Sequence, residues 1–263
     1  GETIAKIAAE KAGILKRGAP AIFAEMDVSA MDVCVRQAEK LGIVPLVGGQ
    51  DFQAFEERGR LVFQAEDRLI DLPLPRLLGR HQIGNAATAI MTLLKVAPER
   101  MTTAAIEKGL QSVEWPARFQ RLTGALTRRA PEGAELWLDG GHNADGARAL
   151  AETVSALEER SPRPLVLIAG TMARKDVTEI LKPFVGLAQE CLAVPVPGEN
   201  ARPPAELAAA ARKLGLPAAE AGSIEDTLTY LAARAWPLAP RIVITGSLYL
   251  AGQVLQADGT LPR

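Results

Sequence analysis

The chain has 263 residues, of which 48% are hydrophobic and 23% are charged, a composition typical of a globular protein with one large core or two modest ones. No apolar run approaches the roughly 20 residues that a membrane-spanning helix needs. The formal net charge of -1 gives no basic surface for nucleic acid, so an anionic ligand has to be bound by single Arg or Lys residues or by helix ends. We therefore expect neither nucleic acid nor a membrane as a partner.

Two cysteines, Cys34 and Cys191, lie far apart in apolar surroundings and match no metal-binding or redox spacing. We interpret both as buried thiols, which predicts a protein of the reducing cytoplasm. The chain begins with Gly1 rather than Met, inside a helical pattern, and we expect its natural beginning to be missing.

Residues 4–15 carry a helical pattern that places Lys11 on its apolar side. One interpretation is that the stem of Lys11 packs while its amine reaches solvent. The other is a desolvated, neutral amine that is available for covalent modification. The pattern leaves both interpretations open.

Residues 19–24 and 44–47 predict strands, with a helix over 30–41 between them. From residue 48 to 77 the pattern loosens into short alternating pieces, such as 60–64 and 68–72, which predict a small antiparallel sheet.

Residues 78–94 predict a helix of small residues that begins after glycines. His81 and Asn85 within it are interpreted either as ligand-binding groups or as buried polar residues and caps. A second helix is predicted over 101–110, with Thr102 or Thr103 as its cap.

The stretch 115–120, with its proline and aromatic residues, is the best candidate for a domain junction. Arg118 in this stretch is either a surface charge or an arginine placed to bind a phosphate.

The stretch 136–148 predicts a strand, a tight loop and a helix. Asp139 falls at the carboxyl end of the strand, where α/β sheets bind ligands, and the glycines after it permit a sharp turn. His142 and Asn143 follow at the start of a helix with free N–H groups.

Further apolar strands are predicted at 164–169, 191–195, near 218 and at 241–245, each followed by a helical pattern. Ser223 and Ser247 are predicted helix caps. Repeated units of this kind predict an α/β fold with a Rossmann-like, mostly parallel, doubly wound sheet from about residue 120 to the end.

Five stretches in order resemble the folylpolyglutamate synthase and dihydrofolate synthase family of the Mur-ligase-like amide ligases. They are Glu10-Lys-Ala-Gly-Ile14, His81-Gln-Ile-Gly-Asn-Ala-Ala-Thr88, Trp115-Pro-Ala-Arg118, Leu138-Asp-Gly-Gly-His-Asn143 and Thr245-Gly-Ser-Leu-Tyr-Leu250. Each stretch alone is weak evidence for the resemblance, but the five occur in the right order across essentially the whole chain.

The resemblance implies an ATP- and Mg²⁺-dependent enzyme that phosphorylates a pteroate or folate carboxylate and lets the amine of L-glutamate attack the acyl phosphate. Lys11 matches the family's carbamoylated lysine, which helps to hold a second magnesium. Asn85, Arg118 and Asp139 match residues that contact ATP. His142 and Ser247 match residues that place or orient glutamate, and both Lys11 and His142 are expected to be catalytic. We expect a monomer.

The sequence departs from the family at three loop positions, where the family usually has glycine at Ala117, alanine at Gly141 and proline at Ala144. No phosphate loop of the form G-x-x-x-x-G-K-[ST] occurs either. The resemblance therefore implies that residues 1–114 are the C-terminal part of the ATP-binding central domain, which is incomplete, and that residues 115–263 are the complete C-terminal ligase domain. We expect this fragment alone to be inactive.

Two alternatives remain at this point. One is a cell-wall Mur ligase, which joins an amino acid to a nucleotide-sugar peptide, and the other is a non-catalytic C-terminal binding module. The His-Gln-Ile-Gly-Asn and Gly-Ser-Leu-Tyr-Leu segments favour the folate branch, whereas the absent phosphate loop favours the binding module.

Overall fold

The computed structural model describes residues 3–66 and 68–260, so the termini of the two predicted domains, at residues 1–2 and 261–263, lie outside it. The chain divides into two compact units. Unit 1 comprises Gly1–Arg76 and Arg80–Glu114, and unit 2 comprises Leu77–Gly79 and Trp115–Arg263. Each unit has its own hydrophobic clusters.

Unit 1 contains four α-helices and five strands within its described residues. In chain order these elements are α1 (Ile4–Ala12), β1 (Ile22–Phe23), α2 (Val28–Lys40), β2 (Leu46–Val47), β3 (Phe52–Glu57), β4 (Arg60–Ala65), β5 (Arg68–Pro73), α3 (His81–Val96) and α4 (Thr103–Ser112). Strands β1 and β2 pair in parallel, whereas β3, β4 and β5 form an antiparallel sheet in that order. The predicted small antiparallel sheet is thus present.

The helices of unit 1 cover these sheets with small or medium apolar residues. Helix α1 buries Ala8 and Ala12, and α2 buries Ala30, Cys34 and Ala38. Helices α3 and α4 pack on the antiparallel sheet, where Phe63 and Leu61 are fully buried. Thr102 caps α4, as predicted, because its Oγ1 accepts the N–H of Ala105 at 3.2 Å.

Unit 2 contains the predicted doubly wound sheet. Its elements in the described residues are β6 (Gln120–Arg121), β7 (Glu135–Leu138), α5 (Ala144–Arg160), β8 (Leu165–Ala169), α6 (Val177–Leu181), β9 (Glu190–Ala193), α7 (Pro204–Lys213), β10 (Ala218–Glu220), α8 (Ile224–Ala232), β11 (Arg241–Thr245) and α9 (Leu248–Asp258). The spatial order of the strands is β10-β9-β8-β11-β7-β6. All neighbours are parallel except β6, which pairs antiparallel with β7 at the edge.

Alternate residues of each strand pack into two hydrophobic cores, one on each face of the sheet. On β7, Trp137 belongs to the cluster that α5, α6 and α7 cover, whereas Leu136 and Leu138 belong to the cluster that α8 and α9 cover. The central strands β8 and β11 are buried at every position, which fits their mostly apolar sequences and a sheet covered on both faces. The predicted α/β fold with a mostly parallel, doubly wound sheet is confirmed.

No helix in the described ranges is both long enough and apolar enough to cross a membrane.

Candidate functional site

The loops after β7, β11 and β8 lie side by side at the carboxyl edge of the sheet, because these three strands are neighbours and run parallel. The loop after β7 is Asp139-Gly-Gly-His-Asn143, and the backbone N–H of Gly246, just after β11, donates to the carbonyl of Gly141 at 3.0 Å. Ligands of open α/β sheets bind at this edge, where neighbouring strands leave the sheet toward opposite faces.

These loops approach so closely that side chains do not fit at two glycines. Gly246 has φ +110°, and a Cβ there would lie 2.6 Å from the carbonyl oxygen of Gly170. A Cβ on Gly170, just after β8, would lie 2.9 Å from the carbonyl oxygen of Val194. Close backbone packing therefore fixes the shape of the edge.

Asp139 uses both carboxylate oxygens to hold the backbone around it. Its Oδ1 accepts the N–H of Gly141 at 2.7 Å, and its Oδ2 accepts the N–H of Phe119 at 2.9 Å. The second bond ties the loop after β7 to the segment 115–120, which the sequence marked as the junction. Gly140 reinforces this link, because its N–H donates to the carbonyl of Ala117 at 2.8 Å.

Arg118 lies between these two tied residues and is exposed. Within the described ranges, its guanidinium has no hydrogen bond or ion pair. Its neighbours Ala117 and Phe119 have φ of +55° and +42°, which costs a residue with a Cβ about 1–2 kcal/mol. A glycine at position 117 would adopt this conformation without that cost. This strained turn thus presents an exposed cation that pairs with none of the described residues.

His142 is half-buried, and its Nδ1 lies 3.1 Å from the carbonyl oxygen of Gly140. Because a carbonyl only accepts, Nδ1 carries the hydrogen and a neutral ring keeps its lone pair on Nε2. In the part of the chain that the structure describes, Nε2 has no hydrogen-bond partner. This nitrogen can therefore accept a proton from a ligand.

Ser247 is 2% exposed and caps α9, because its Oγ accepts the N–H of Tyr249 at 3.1 Å. The predicted cap is confirmed, as is the cap of α8 at Ser223. Asn143 caps α5 in the same way, through Gly146 at 2.8 Å. Both helices thus begin at the loops that carry the candidate residues.

Lys11 and Asn85 belong to unit 1. Lys11 is exposed on α1, so the prediction that it falls on the apolar side of the helix is wrong. The helix is rotated so that Ala8 and Ala12 pack, whereas Ile4 and Ile7 are 54% and 44% exposed.

Asn85 is also exposed, as is His81, so the interpretation of these two as buried polar residues is wrong. The buried polar residue of α3 is Gln82, whose Oε1 accepts from Asn85 Nδ2 at 3.1 Å. A cavity of about 520 Å³ in unit 1 is lined by Asp51, Glu66 and Lys95 among others, but by neither Lys11 nor Asn85.

Two aromatic residues near Arg118 were not predicted as part of the site. Phe119 and Trp137 stack with ring centroids 4.5 Å apart and planes 5° apart. The signal in the sequence was the aromatic content of 115–120, but which ring it meets depends on the pairing of β6 with β7.

Comparison with known proteins decides the family. Residues 123–257, about half of the chain, match the family model described as "Dihydrofolate synthetase, C-terminal domain". The chain belongs to the dihydrofolate synthetase family. The predicted family is thereby confirmed, and Asp139, His142 and Ser247 lie inside the matched range.

Several relatives of this dihydrofolate synthetase family member carry folate-ligase names. The folylpolyglutamate synthase of Lacticaseibacillus casei is 32% identical over 267 aligned positions, which cover 97% of this chain and 58% of the relative. The dihydrofolate synthase/folylpolyglutamate synthase of Bacillus subtilis is 31% identical over 163 positions, 59% of this chain and 36% of the relative.

Solved structures of the family share the fold. Folylpolyglutamate synthase of Mycobacterium tuberculosis, complexed with ADP and AMPPCP, has a TM-score of 0.81 at 25% identity. The alignment covers 100% of this chain and 61% of that protein. The Thermotoga maritima folylpolyglutamate synthase has a TM-score of 0.74 at 27% identity, with 99% and 59% covered. The chain thus spans less than two thirds of the length of each of these proteins.

Proposed function

We propose that the protein containing this chain is an ATP-dependent ligase that adds L-glutamate to dihydropteroate, to folate or tetrahydrofolate, or to both, through an acyl phosphate, in folate biosynthesis. The observation that carries the proposal is Arg118, an exposed cation without a partner in the described chain, on a strained turn tied to the loop after β7. The names of the relatives support it. They favour the folate branch over a cell-wall Mur ligase.

Arg118 would bind the phosphoryl group of ATP during its transfer. An arginine presents N–H groups in a fixed fork that matches phosphate oxygens, and a preorganised cation stabilises the charge that develops in transfer. The M. tuberculosis relative was solved with ADP and AMPPCP, which supports ATP as the phosphate donor.

Asp139 and Asn85 are proposed to contact ATP as well. In the structure, the carboxylate of Asp139 accepts the N–H groups of Phe119 and Gly141, so it holds the backbone of the Arg118 turn against the loop after β7. A carboxylate oxygen can accept more than one hydrogen bond, which supports a contact with a ligand in addition to these. Asn85 exposes its side chain on α3, with Nδ2 bonded to Gln82.

His142 and Ser247 are proposed to place glutamate. A neutral His142 with Nδ1–H bonded to Gly140 offers Nε2 to the ammonium group of glutamate, and removal of a proton there would produce the amine that attacks. Ser247 is nearly buried, so its proposed part is to orient the loop and the start of α9 rather than to form a broad contact. A bifunctional relative solved with Mn, AMPPNP and L-glutamate, 25% identical with a TM-score of 0.77, supports glutamate as the substrate.

Among residues 3–66 and 68–260, no group of three His, Cys, Asp or Glu side chains comes together in a way that would hold a metal ion. Mg²⁺ is proposed as the ion of the whole protein, and a carbamate on Lys11 would supply it with one oxygen ligand. The described residues do not form a metal site by themselves.

The decisive experiment uses the natural protein that contains this chain, with Mg²⁺, ATP, L-glutamate and either dihydropteroate or tetrahydrofolate. We expect formation of ADP and a product heavier by one glutamyl residue, each dependent on both other substrates. Arg118→Ala should lower kcat by about 10² to 10³. Arg128→Ala is the matched control, because Arg128 is also exposed and lies ten residues further along.

Absence of the glutamylated product with both pterin substrates would overturn the function and favour the binding-module alternative. Equal rates for Arg118→Ala and Arg128→Ala would remove Arg118 from the site. We also propose that this chain alone hydrolyses no ATP, because it holds no phosphate loop to bind the β and γ phosphates.

A monomeric state and a cytoplasmic location are further proposals for the natural protein. The two free, buried cysteines support a reducing compartment. Size-exclusion chromatography with light scattering tests the monomer.

A further inference from the structure

The turn that carries Arg118 does not hold its conformation through local preference. Ala117 and Phe119 are both left-handed, at φ +55° and +42°, and both are buried, with 4% of their surface exposed. Residues with a Cβ leave this region unless the surrounding structure holds them there. The contacts around the turn therefore decide where Arg118 points.

Hydrogen bonds hold the backbone on both sides of the arginine. Ala117 donates its N–H to Gln120 Oε1 at 3.0 Å and accepts the N–H of Gly140 at its carbonyl, at 2.8 Å. Phe119 donates its N–H to Asp139 Oδ2 at 2.9 Å. These bonds fix the peptide groups, but they leave the ring of Phe119 to be fixed by packing.

Trp137 supplies that packing. Its ring is 8% exposed and lies parallel to the ring of Phe119, 4.5 Å between centroids. A hydrogen bond orients the indole, because Trp137 Nε1 donates to Glu135 Oε2 at 3.2 Å. Glu135 in turn accepts a hydrogen bond from the buried Arg241. The ring of Phe119 thus packs on the Trp137 side chain, whose orientation is fixed by this stack and by the hydrogen bond to Glu135.

We propose that Trp137 is a positioning residue for Arg118, acting through its stack with Phe119. Trp137 is buried and is not itself proposed to contact substrate. It keeps Phe119 in the left-handed conformation, and that conformation aims the guanidinium toward the phosphoryl group. The proposal rests on the proposed function, because it takes the role of Arg118 in phosphoryl transfer as given.

The kinetic test compares Trp137→Leu with Trp137→Phe in the natural protein. Leucine fills space without a flat ring, and we expect kcat to fall by up to about 10²-fold, as for a displaced catalytic group, with KM for glutamate nearly unchanged. Phenylalanine keeps a flat ring for the stack but loses the Nε1 bond and the second ring of the indole, so most of kcat should be retained. The double variant Trp137→Leu/Arg118→Ala should be no slower than Arg118→Ala, because both changes remove the same contact.

A second readout needs no activity. In this chain, the bond after Arg118 is flanked by buried residues, and trypsin should cut it slowly compared with the bond after Arg128. Trp137→Leu should raise the rate of cutting at Arg118 at least severalfold relative to Arg128. Leu136→Ala is the control for lost stability, since Leu136 is adjacent on β7 but packs in the other core. Leu136→Ala should leave the ratio of cutting at Arg118 to cutting at Arg128 unchanged.

The outcomes separate the two proposals. Normal kcat in Arg118→Ala overturns the role of Arg118 itself. A large loss in Arg118→Ala together with normal kcat in Trp137→Leu overturns the positioning role alone. Additive losses in the double variant also overturn it, because they show that Trp137 acts independently of Arg118. An equal rise in cutting with Leu136→Ala overturns it as well, because it shows a general loss of stability.

Discussion

Arg241 Nε donates to Glu135 Oε2 at 2.8 Å, and the arginine side chain is 1% exposed. Arg241 also pairs with Glu158, on the last turns of α5. One buried cation thus connects the starts of β7 and β11 to the end of the helix that follows the site loop. A buried charge of this kind is stable only while its partners are present.

We predict that Arg241→Ala lowers the free energy of unfolding by about 3–5 kcal/mol, because it leaves two half-buried carboxylates without their main partner. Urea denaturation followed by circular dichroism measures the change. Arg60→Ala is the control, since Arg60 and Asp71 form a 2.7 Å pair whose side chains are 47% and 62% exposed, and it should cost at most about 1 kcal/mol. Equal losses of unfolding free energy in Arg241→Ala and Arg60→Ala would show that burial does not make the Arg241 pairs more important for stability.

The same network predicts a dependence of stability on pH. Burial by itself raises the pKa of Glu135, but hydrogen bonds from Arg241 and Trp137 and the charges of Arg241 and Arg163 outweigh it, so the pKa lies below its ordinary value. A carboxyl with a lowered pKa stabilises the fold above its unfolded pKa of about 4.5, and this contribution is lost as the pH falls through the folded pKa.

We therefore expect the unfolding free energy to decrease more steeply between about pH 4.5 and the lower folded pKa in the natural sequence than in Glu135→Gln. Denaturant titrations at a series of pH values measure both slopes. Glu132→Gln, an exposed acid nearby, should keep the natural slope. Identical slopes for all three proteins would show that Glu135 has an ordinary pKa in the fold.

A third prediction concerns Asp258 at the end of α9, which is 2% exposed and accepts the N–H groups of Gly124 and Leu126 at 3.1 and 3.0 Å. Asp258→Leu leaves both groups buried without an acceptor, which should cost about 2–5 kcal/mol. Gly124→Ala should be similarly harmful, because its Cβ would lie 1.9 Å from the carbonyl oxygen of Asp258. Thermal or urea denaturation measures both.

Gly252, in the middle of α9, provides the contrast. A Cβ there meets nothing within 4 Å, so Gly252→Ala should stabilise the protein by up to about 1 kcal/mol through helix propensity. Destabilisation by Gly252→Ala, or neutrality of Gly124→Ala, would contradict the packing described for this helix.

The fourth prediction tests the proposed carbamate on Lys11 in the natural protein. Lys11→Ala should lower the rate of ligation, and acetate or another small carboxylic acid should restore part of it by replacing the missing carboxylate. Because Lys11 is exposed, its replacement should change stability by no more than about 0.5 kcal/mol. Lys16→Ala, which removes another exposed lysine, is the control and should keep the full rate.

Absence of rescue by any small acid, with a normal rate in Lys11→Ala, would leave Lys11 as an ordinary surface lysine. A lost rate without rescue would instead show that its ammonium group, rather than a carbamate, is what the protein uses.

The sequence by itself determined the type and order of most elements and the family. Apolar strands such as 241–245 and helix caps such as Thr102 and Ser247 rest on local chemistry, so they could be predicted residue by residue. Asp139, His142 and Ser247 could be placed near one another because the carboxyl ends of parallel strands meet at one edge.

Only the tertiary structure decided which face of a helix is buried and what fixes Arg118. The helical pattern around Lys11 counted isoleucines as core, but Ala8 and Ala12 pack and Ile4 and Ile7 do not, because burial depends on which neighbour the helix meets. Likewise, the stack joins Phe119, just before β6, to Trp137 on β7, and no local pattern in the sequence predicts that contact. The left-handed turn at Arg118 exists because contacts distant in sequence hold it there.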